Sequence, residues 1–506
     1  MLDTLVVAVT GAFGPMTLAM NFVGVLVGMI VGALPGLGSV VAISICLPFT
    51  FGMNSSVAIA LLFGVYCGSI AGGSIASILI NTPGTPQAAC TALDGHPMAK
   101  QGKADKAIGW ALGASILGGL FSCIVLILAA PALADFALEF GALETFALIL
   151  MGLTCISSVS AGAQAKGIAA GIMGLLLACV GSSPFSSDLR FTFDLFALSG
   201  GIDLVAVIVG VFALSEVIVR AESILYEGRV EPMKGGVVLP GWKDWNVKGR
   251  IALLVKSSGI GTFVGIMPGT GAATAAFLSY GEARRSSPRK HLFGTGEPDS
   301  LVAAEAANNA VTGGALVPTL ALGIPGDPVT AILLATFTIH GLSPGVRLMT
   351  ENPEVVYTAF VTLIIANVFM WPACVITTRL FNFLLRLPEP IMMGFITVLC
   401  VLGAYGSRGN PVDVAVTVVS GIVAYFLRRN GFPMPPVVIG LVLGQQFELS
   451  VGQMLLFKGD TGWPEYILSS PLACALLLGA AAIIIMPHIS EYRAKKREEA
   501  LSRESA

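Results

Sequence analysis

Charge is what this sequence most lacks. Only 11% of its 506 residues are charged against 55% hydrophobic, and no charged residue stands between Asp3 and Asp94. A soluble domain covers itself with about 25% charged residues, so the composition excludes one, and a mean hydropathy of +0.85 agrees. The net charge of −2 offers nothing to nucleic acid. The nine cysteines stand apart in apolar segments without a CxxC pair and read as small core hydrophobes, neither disulfides nor metal ligands. No HExxH, no GxSxG and no paired acidic motif falls in an apolar segment, which argues against an intramembrane enzyme. The N-terminus lacks the basic region of a signal peptide.

What the chain has is apolar length. A crossing helix needs roughly 20 apolar residues. Candidates are 57–80, 108–134, 143–160, 167–181, 202–219, 302–324, 356–378, 391–405, 412–427, 434–449 and 472–487, about 11 full crossings of an all-α polytopic membrane protein. Lys and Arg concentrate in cytoplasmic loops. Lys100, Lys103 and Lys106 mark one such loop, Arg220 to Arg250 another, Arg428 and Arg429 a third, and Arg493 to Arg497 the tail. The loops between carry Asp135, Glu139 and Glu144, or Glu351 and Glu354, or Asp460 and Glu465. Every crossing then alternates, and the C-terminus is cytoplasmic.

Two apolar stretches are interrupted in the same way. GALPGLGSV, 32–40, packs Gly32, Pro35, Gly36 and Gly38 together, and GIMPGTGAA, 265–273, repeats the pattern. The second lies between Lys248 and Arg250 on one side and Arg284, Arg285, Arg289 and Lys290 on the other, so both its ends are expected in the cytoplasm. The arm at 272–280 is about 13 Å of helix, too short to cross. Two re-entrant hairpins follow, at 16–52 and 251–280. Irregular backbone at membrane depth survives only where protein buries it or it lines a wet cavity.

The duplication continues. AGGSIASILINTPGTPQAA, 71–89, aligns with GGALVPTLALGIPGDPVTA, 313–331, pairing Gly72 with Gly314 and Pro83 with Pro325, and DGHPMA at 94–99 answers HGLSPG at 340–345. An odd number of expected crossings separates the copies, so the second is inverted. Inverted repeats with broken helices near the midplane mark secondary transporters rather than channels. The chain is read as a first repeat core at 1–93, scaffold helices and a cytoplasmic loop at 94–250, a second core at 251–345, and scaffold helices and tail at 346–506. At each break, Thr85-Pro86 and Asp327-Pro328 offer an N-cap followed by proline at the first helical position. Free carbonyls before the break suit a cation, and free N–H groups after it suit a carboxylate.

GALPGLG, GGSIASILINTPGTP, DGHPMAKQGKADKAIG, EAANNAVTGGALVPTLALGIPGDP and HGLSPG, in this order, resemble the signature blocks of the large membrane subunit of tripartite tricarboxylate transporters. The resemblance covers nearly the whole chain. It implies a bacterial inner-membrane permease working with a small four-helix membrane subunit and a periplasmic solute-binding protein. It implies uptake of citrate or a related di- or tricarboxylate, driven by Na⁺ or H⁺, with no other cofactor. Asp327 departs from the pattern, which more often has a small hydroxyl or apolar residue there.

The expected substrate site is the two tips, Pro35, Gly36, Gly38 and Ser39 with Pro268, Gly269, Thr270 and Gly271, together with the two breaks, Asn81, Thr82, Pro83, Gly84 and Thr85 with Pro325, Gly326 and Asp327. Expected Na⁺ ligands are Asn81, Gly323, Asp327, Asn308 and Asn309. Each has a plainer reading: Asp327 as an N-cap only, Asn308 and Asn309 as bonds between helices. Glu305 reads as interfacial, Lys256 as snorkelling, and His96 and His340 as structural. A stand-alone organic-anion carrier without partner subunits is the alternative function. A cysteine introduced in 94–107 or 281–300 is expected to label only from the cytoplasm, and one in 345–354 only from outside; cytoplasmic labelling of the last site overturns the inverted arrangement.

Overall fold

Breakers in the sequence become helix ends in the computed structural model, which describes residues 2–35, 37–159, 163–183, 185, 188–223, 235–245, 249–267, 271–384 and 388–483. Among these the fold is helical, with one two-residue strand pair, Gly181–Ser182 with Leu189–Arg190, as its sheet. Among the described residues seven helices are long and apolar enough to cross a membrane: Pro15–Ala33, Ser55–Ile80, Ala104–Ala137, Leu204–Glu222, Pro353–Phe381, Pro390–Arg408 and Pro411–Arg429. This is fewer than the crossings expected from apolar runs. Gln164–Ala178 has only 15 residues. Pro298–Leu322 is long, with 25 residues, but carries Asp299, Glu305, Asn308 and Asn309. Pro15–Ala33, expected as a hairpin arm, is itself long enough.

The chain forms two compact units. One holds Leu138–Ile202 and Leu427–Ala506. In it Gln164–Ala178 crosses Pro435–Lys458 where glycine allows backbone contact: a Cβ on Gly174 would come within 2.9 Å of the Leu441 nitrogen, and one on Gly440 within 3.0 Å of the Leu175 nitrogen. A two-pronged Arg190–Glu448 pair, 2.8 and 3.0 Å, ties the strand pair to the latter helix.

The other unit holds Met1–Ala137 and Asp203–Phe426, with both interrupted stretches. Pro15–Ala33 lies along Ser55–Ile80 with no room for side chains at the crossing. A Cβ on Gly28 would stand 2.8 Å from the Val65 Cα, one on Gly32 2.8 Å from the Ser69 Cα, and one on Gly72 2.9 Å from the Met29 carbonyl carbon. Arg250–Ile266 lies along Pro298–Leu322 in the same manner. There Gly261 meets the Ala307 Cα at 2.7 Å, Gly265 the Val311 oxygen at 2.8 Å, and Gly314 the Thr262 carbonyl carbon at 3.1 Å. These are the same contacts at the aligned positions. Small residues let apolar helices gain dispersion by backbone approach, the main attraction left between helices when lipid is the solvent.

Two expectations about loops are corrected. The arm after the second tip runs Gly271–Ser286, 16 residues or about 24 Å, past the point where polar residues suggested an end. Its last turn carries Arg284 and Arg285, whose charge suits free carbonyls at a helix C-terminus. The segment after the first break, expected as a loop from Asp94, is the helix Ala89–Lys100, and only Gln101, Gly102 and Lys103 form an exposed turn. Asp94 is fully buried because it is well partnered: its Oδ1 accepts from the amides of Gly294, Gly296 and Glu297 at 2.8, 2.8 and 3.0 Å, and its Oδ2 from the Tyr280 hydroxyl at 3.1 Å.

Gly28→Val and Gly261→Val are each expected to destabilise the protein by about 1–3 kcal/mol through forced separation of the helices. Gly281→Ala is the control, since a Cβ there meets nothing within 4 Å. Thermal unfolding in detergent measures all three; equal midpoints would mean that the crossings tolerate bulk.

Candidate substrate and ion site

Both long helices stop on a left-handed residue. Ser55–Ile80 ends at Asn81 with φ 55° and ψ 24°, and Pro298–Leu322 ends at Gly323 with φ 72° and ψ 21°. That conformation turns the chain away; at the second break the Gly323 amide bonds back to the Thr319 carbonyl at 3.2 Å and the Ile324 amide to that of Pro318 at 3.3 Å. The chain then doubles back across its own helix: a Cβ on Gly84 would stand 3.1 Å from the Gly73 Cα, and one on Gly326 2.6 Å from the Ala315 Cα. Helix resumes at Pro86–Ala88, leading into Ala89–Lys100, and at Pro328–Ile339. The interrupted stretches match as well. Pro15–Ala33 ends at Leu34 with φ −83° and ψ 122°, Arg250–Ile266 at Met267 with φ −80° and ψ 107°, and the following helices start at Gly38 with φ 70° and Gly271 with φ 72°.

Each arm packs against the other break. Gly38–Cys46 rests on Pro328–Ile339, and Gly271–Ser286 rests on Pro86–Ala88 and Ala89–Lys100. The arm that Gly38 opens thus packs on the helix that Asp327 caps, and the arm that Gly271 opens on the segment that follows Thr85. Gly36, Pro268, Gly269 and Thr270 lie outside the described residues. Pro35 and Pro83 are half-buried.

The breaks differ in access. Asn81 and Thr82 are exposed, whereas Gly323, Pro325, Gly326 and Asp327 are buried. They also differ in capping. Asp327 is a full N-cap: its Oδ1 accepts from the Thr330 amide at 2.7 Å, and its own amide donates to Thr330 Oγ1 at 2.9 Å. Its second oxygen accepts from the Tyr66 hydroxyl at 2.5 Å. Thr85, expected to cap in the same way, makes no side-chain cap; its buried Oγ1 has no hydrogen-bond partner, and neither has that of Ser39. Buried polar atoms are nearly always satisfied, so two orphan hydroxyls at helix ends leave donors free for a ligand.

Other expected residues separate into bonded and unbonded. Asn309 bridges helices, its Nδ2 donating to the Ser115 carbonyl at 2.7 Å and to Asn367 Oδ1 at 2.8 Å. Asn308 is buried with neither side-chain atom hydrogen-bonded at ordinary geometry. Glu305, expected at the interface, is fully buried, held by the Thr91 hydroxyl and by the Ser115 hydroxyl at 2.8 Å. The first two turns of its helix are covered by Ala89–Lys100 and Ala104–Ala137, which the apolar pattern did not reveal. Lys256 reaches the surface, pairing with Glu282 at 2.6 Å. That pair and Arg285 hold the partly exposed Glu282 carboxyl below its ordinary range. His96 Nδ1 lies 3.0 Å from the Ile78 carbonyl, a structural role, and His340 caps Pro328–Ile339. Among the described residues no group of three or more His, Cys, Asp and Glu gathers to hold a metal.

Sequence reasoning missed Tyr66, Asn21 and Asn367. A lone tyrosine inside an apolar run was the available signal, since its hydroxyl needs a partner when buried. Asn21 donates to the carbonyls of Ala60 at 2.8 Å and Thr362 at 3.2 Å, and Asn367 to that of Leu363 at 2.9 Å.

Known proteins carry the same pattern. Residues 18–439 match the tripartite tricarboxylate transporter TctA family. An uncharacterized 52.8 kDa protein in the TAR-I ttuC' 3' region of Agrobacterium vitis is 32% identical over 487 residues, 96% of each chain. An uncharacterized protein in the TAR-II ttuC' 3' region of the same organism is 29% identical over 237 residues, which is 47% of this chain and 97% of that one. No solved structure matches significantly. With a family match over residues 18–439 and a relative 32% identical over 96% of each chain, the chain belongs to the tripartite tricarboxylate transporter TctA family.

Proposed function

We propose that the chain is the permease of a bacterial inner-membrane carrier that takes up citrate or a related di- or tricarboxylate, coupled to Na⁺ or H⁺. A periplasmic binding protein delivers the substrate, and a small four-helix membrane subunit completes the complex. The observation that carries this reading is the pair of matched helix breaks, each resting against the arm that follows the other tip. Family membership supports transport with partner subunits.

In this reading the two halves are inverted repeats, with re-entrant hairpins whose tips reach the breaks. The recurrence of the Gly28, Gly32 and Gly72 contacts at Gly261, Gly265 and Gly314 supports duplication. The exposed first break binds the substrate. A multivalent carboxylate leaving water must regain its hydration energy from fixed donors, and few side-chain cations are at hand here. The donors are the N–H groups at the helix restarts and tips, with Asn81, Thr82, Ser39 and Thr85. The buried second break serves the coupling cation, with Asp327 supplying negative charge. Each hairpin arm is locked to its broken helix at backbone contact, so the cores 1–93 and 251–345 move as one body, an elevator-like slide. A Cβ on Gly118 would stand 2.8 Å from the Ala306 Cα, so Ala104–Ala137 is assigned to the core rather than to the scaffold, and the sliding surface lies outside it.

Uptake of labelled citrate in vesicles carrying the permease and small subunit, with and without the binding protein, tests this. Uptake is expected only with all three. Asn81→Ala and Thr82→Ala are each expected to weaken apparent affinity about tenfold, the loss of roughly 1.4 kcal/mol in a hydrogen bond to a charged ligand. Gly38→Val and Gly271→Val force a β-branched residue to positive φ and are expected to abolish uptake with insertion intact. Asp327→Asn is expected to change ion dependence more than substrate affinity. Normal uptake in all five variants places the site elsewhere.

A further inference from the structure

The buried polar groups of the second broken helix have more to do than the breaks require. Glu305 is fully buried, and no Lys, Arg or His lies within ion-pair distance among the described residues. Two arginines that pair with an acid near the start of its helix, Arg250 and Arg289, are both spent on Asp299. The titratable group that interacts with it is Cys90, which brings no positive charge. An isolated carboxylate in such a place costs several kcal/mol unless something neutralises it.

The neighbourhood is built from oxygen. Thr91 comes from Ala89–Lys100 and Ser115 from Ala104–Ala137, and their hydroxyls meet the two oxygens of Glu305 separately. One turn further along lies Asn308, 1% exposed and beside Glu305, with both amide atoms lacking a hydrogen bond of ordinary geometry. Its position is the counterpart of Tyr66 when Pro83 is aligned with Pro325. Tyr66 satisfies itself on Asp327; Asn308 has no such acid, since Thr85 stands at the matching place.

We infer that Glu305, Asn308, Thr91 and Ser115 form a binding site for one Na⁺, deepening the proposed transport function by naming where a coupling ion sits. Hard cations take oxygen ligands, and three helices supply five here: two carboxylate, two hydroxyl and one amide. One carboxylate balances one monovalent charge. The ion gives the orphan amide oxygen a partner and removes the buried charge. It also joins Ala89–Lys100 to Pro298–Leu322 and Ala104–Ala137, so its occupancy bears on how the first break is held against the second half.

Sodium binding is measured without substrate, so its result stands apart from that of the uptake assay. Purified full-length protein in detergent is titrated with NaCl against choline chloride at constant ionic strength, following thermal midpoint and binding of radioactive sodium. Wild type is expected to rise in midpoint with Na⁺. Glu305→Gln is expected to weaken Na⁺ binding at least about tenfold while staying folded in choline, since the charge is gone. Asn308→Ala and Ser115→Ala keep the carboxylate, report on the same site if Glu305→Gln fails to fold, and are each expected to weaken binding several-fold. Unchanged Na⁺ binding in Glu305→Gln or in both neutral variants overturns the site, as does a wild-type protein that responds to pH but not to Na⁺, which would make Glu305 a proton carrier.

Discussion

Everything in the larger unit depends on one constraint: a helix broken inside an apolar layer exposes backbone groups that lipid cannot satisfy. Each break here answers with the same geometry. A left-handed residue ends the helix, the chain folds back over a glycine-thin stretch of that helix, and a proline starts the next one. The fold-back is possible only because Gly73 and Ala315 present almost no side chain to Gly84 and Gly326.

The same constraint explains the glycine stripes. A broken helix has lost part of its own hydrogen-bond ladder and needs a rigid neighbour. Pro15–Ala33 and Arg250–Ile266 supply it at backbone distance, where small residues replace the hydrophobic drive that lipid removes. Support of this kind makes hairpin arm and broken helix one mechanical piece. That is what a carrier needs if its site is to keep its shape while its access changes.

The helix ends were legible in the sequence because their signals are local. Asn81, Gly323, Pro86 and Pro328 act through their own backbone preferences. What the sequence hid is set at long range. Asp94 reads as a loop residue until three amides some 200 positions away are seen to enclose it. Glu305 reads as interfacial because only the packing of two other helices buries it. Thr85 and Asp327 occupy equivalent places, yet only the acid caps its helix. The Gly271–Ser286 arm outran its apolar stretch because its terminal arginines suit the helix end and not the membrane interior.

Under the proposed duplication, divergence accounts for the difference between the halves. At matched positions the first broken helix has Phe63, Tyr66, Cys67 and Thr85 where the second has Glu305, Asn308, Asn309 and Asp327. The backbone is held in common, while the acids and amides lie in one copy. A carboxylate substrate is repelled by buried acids, so it is better served by the copy without them, whose break is also the exposed one. A cation is served by the copy that has them. In the proposed function, two copies of one break, one without these acids and one with them, are what would give an anion and its coupling ion separate places, and the Tyr66–Asp327 bond ties the first broken helix to the second break.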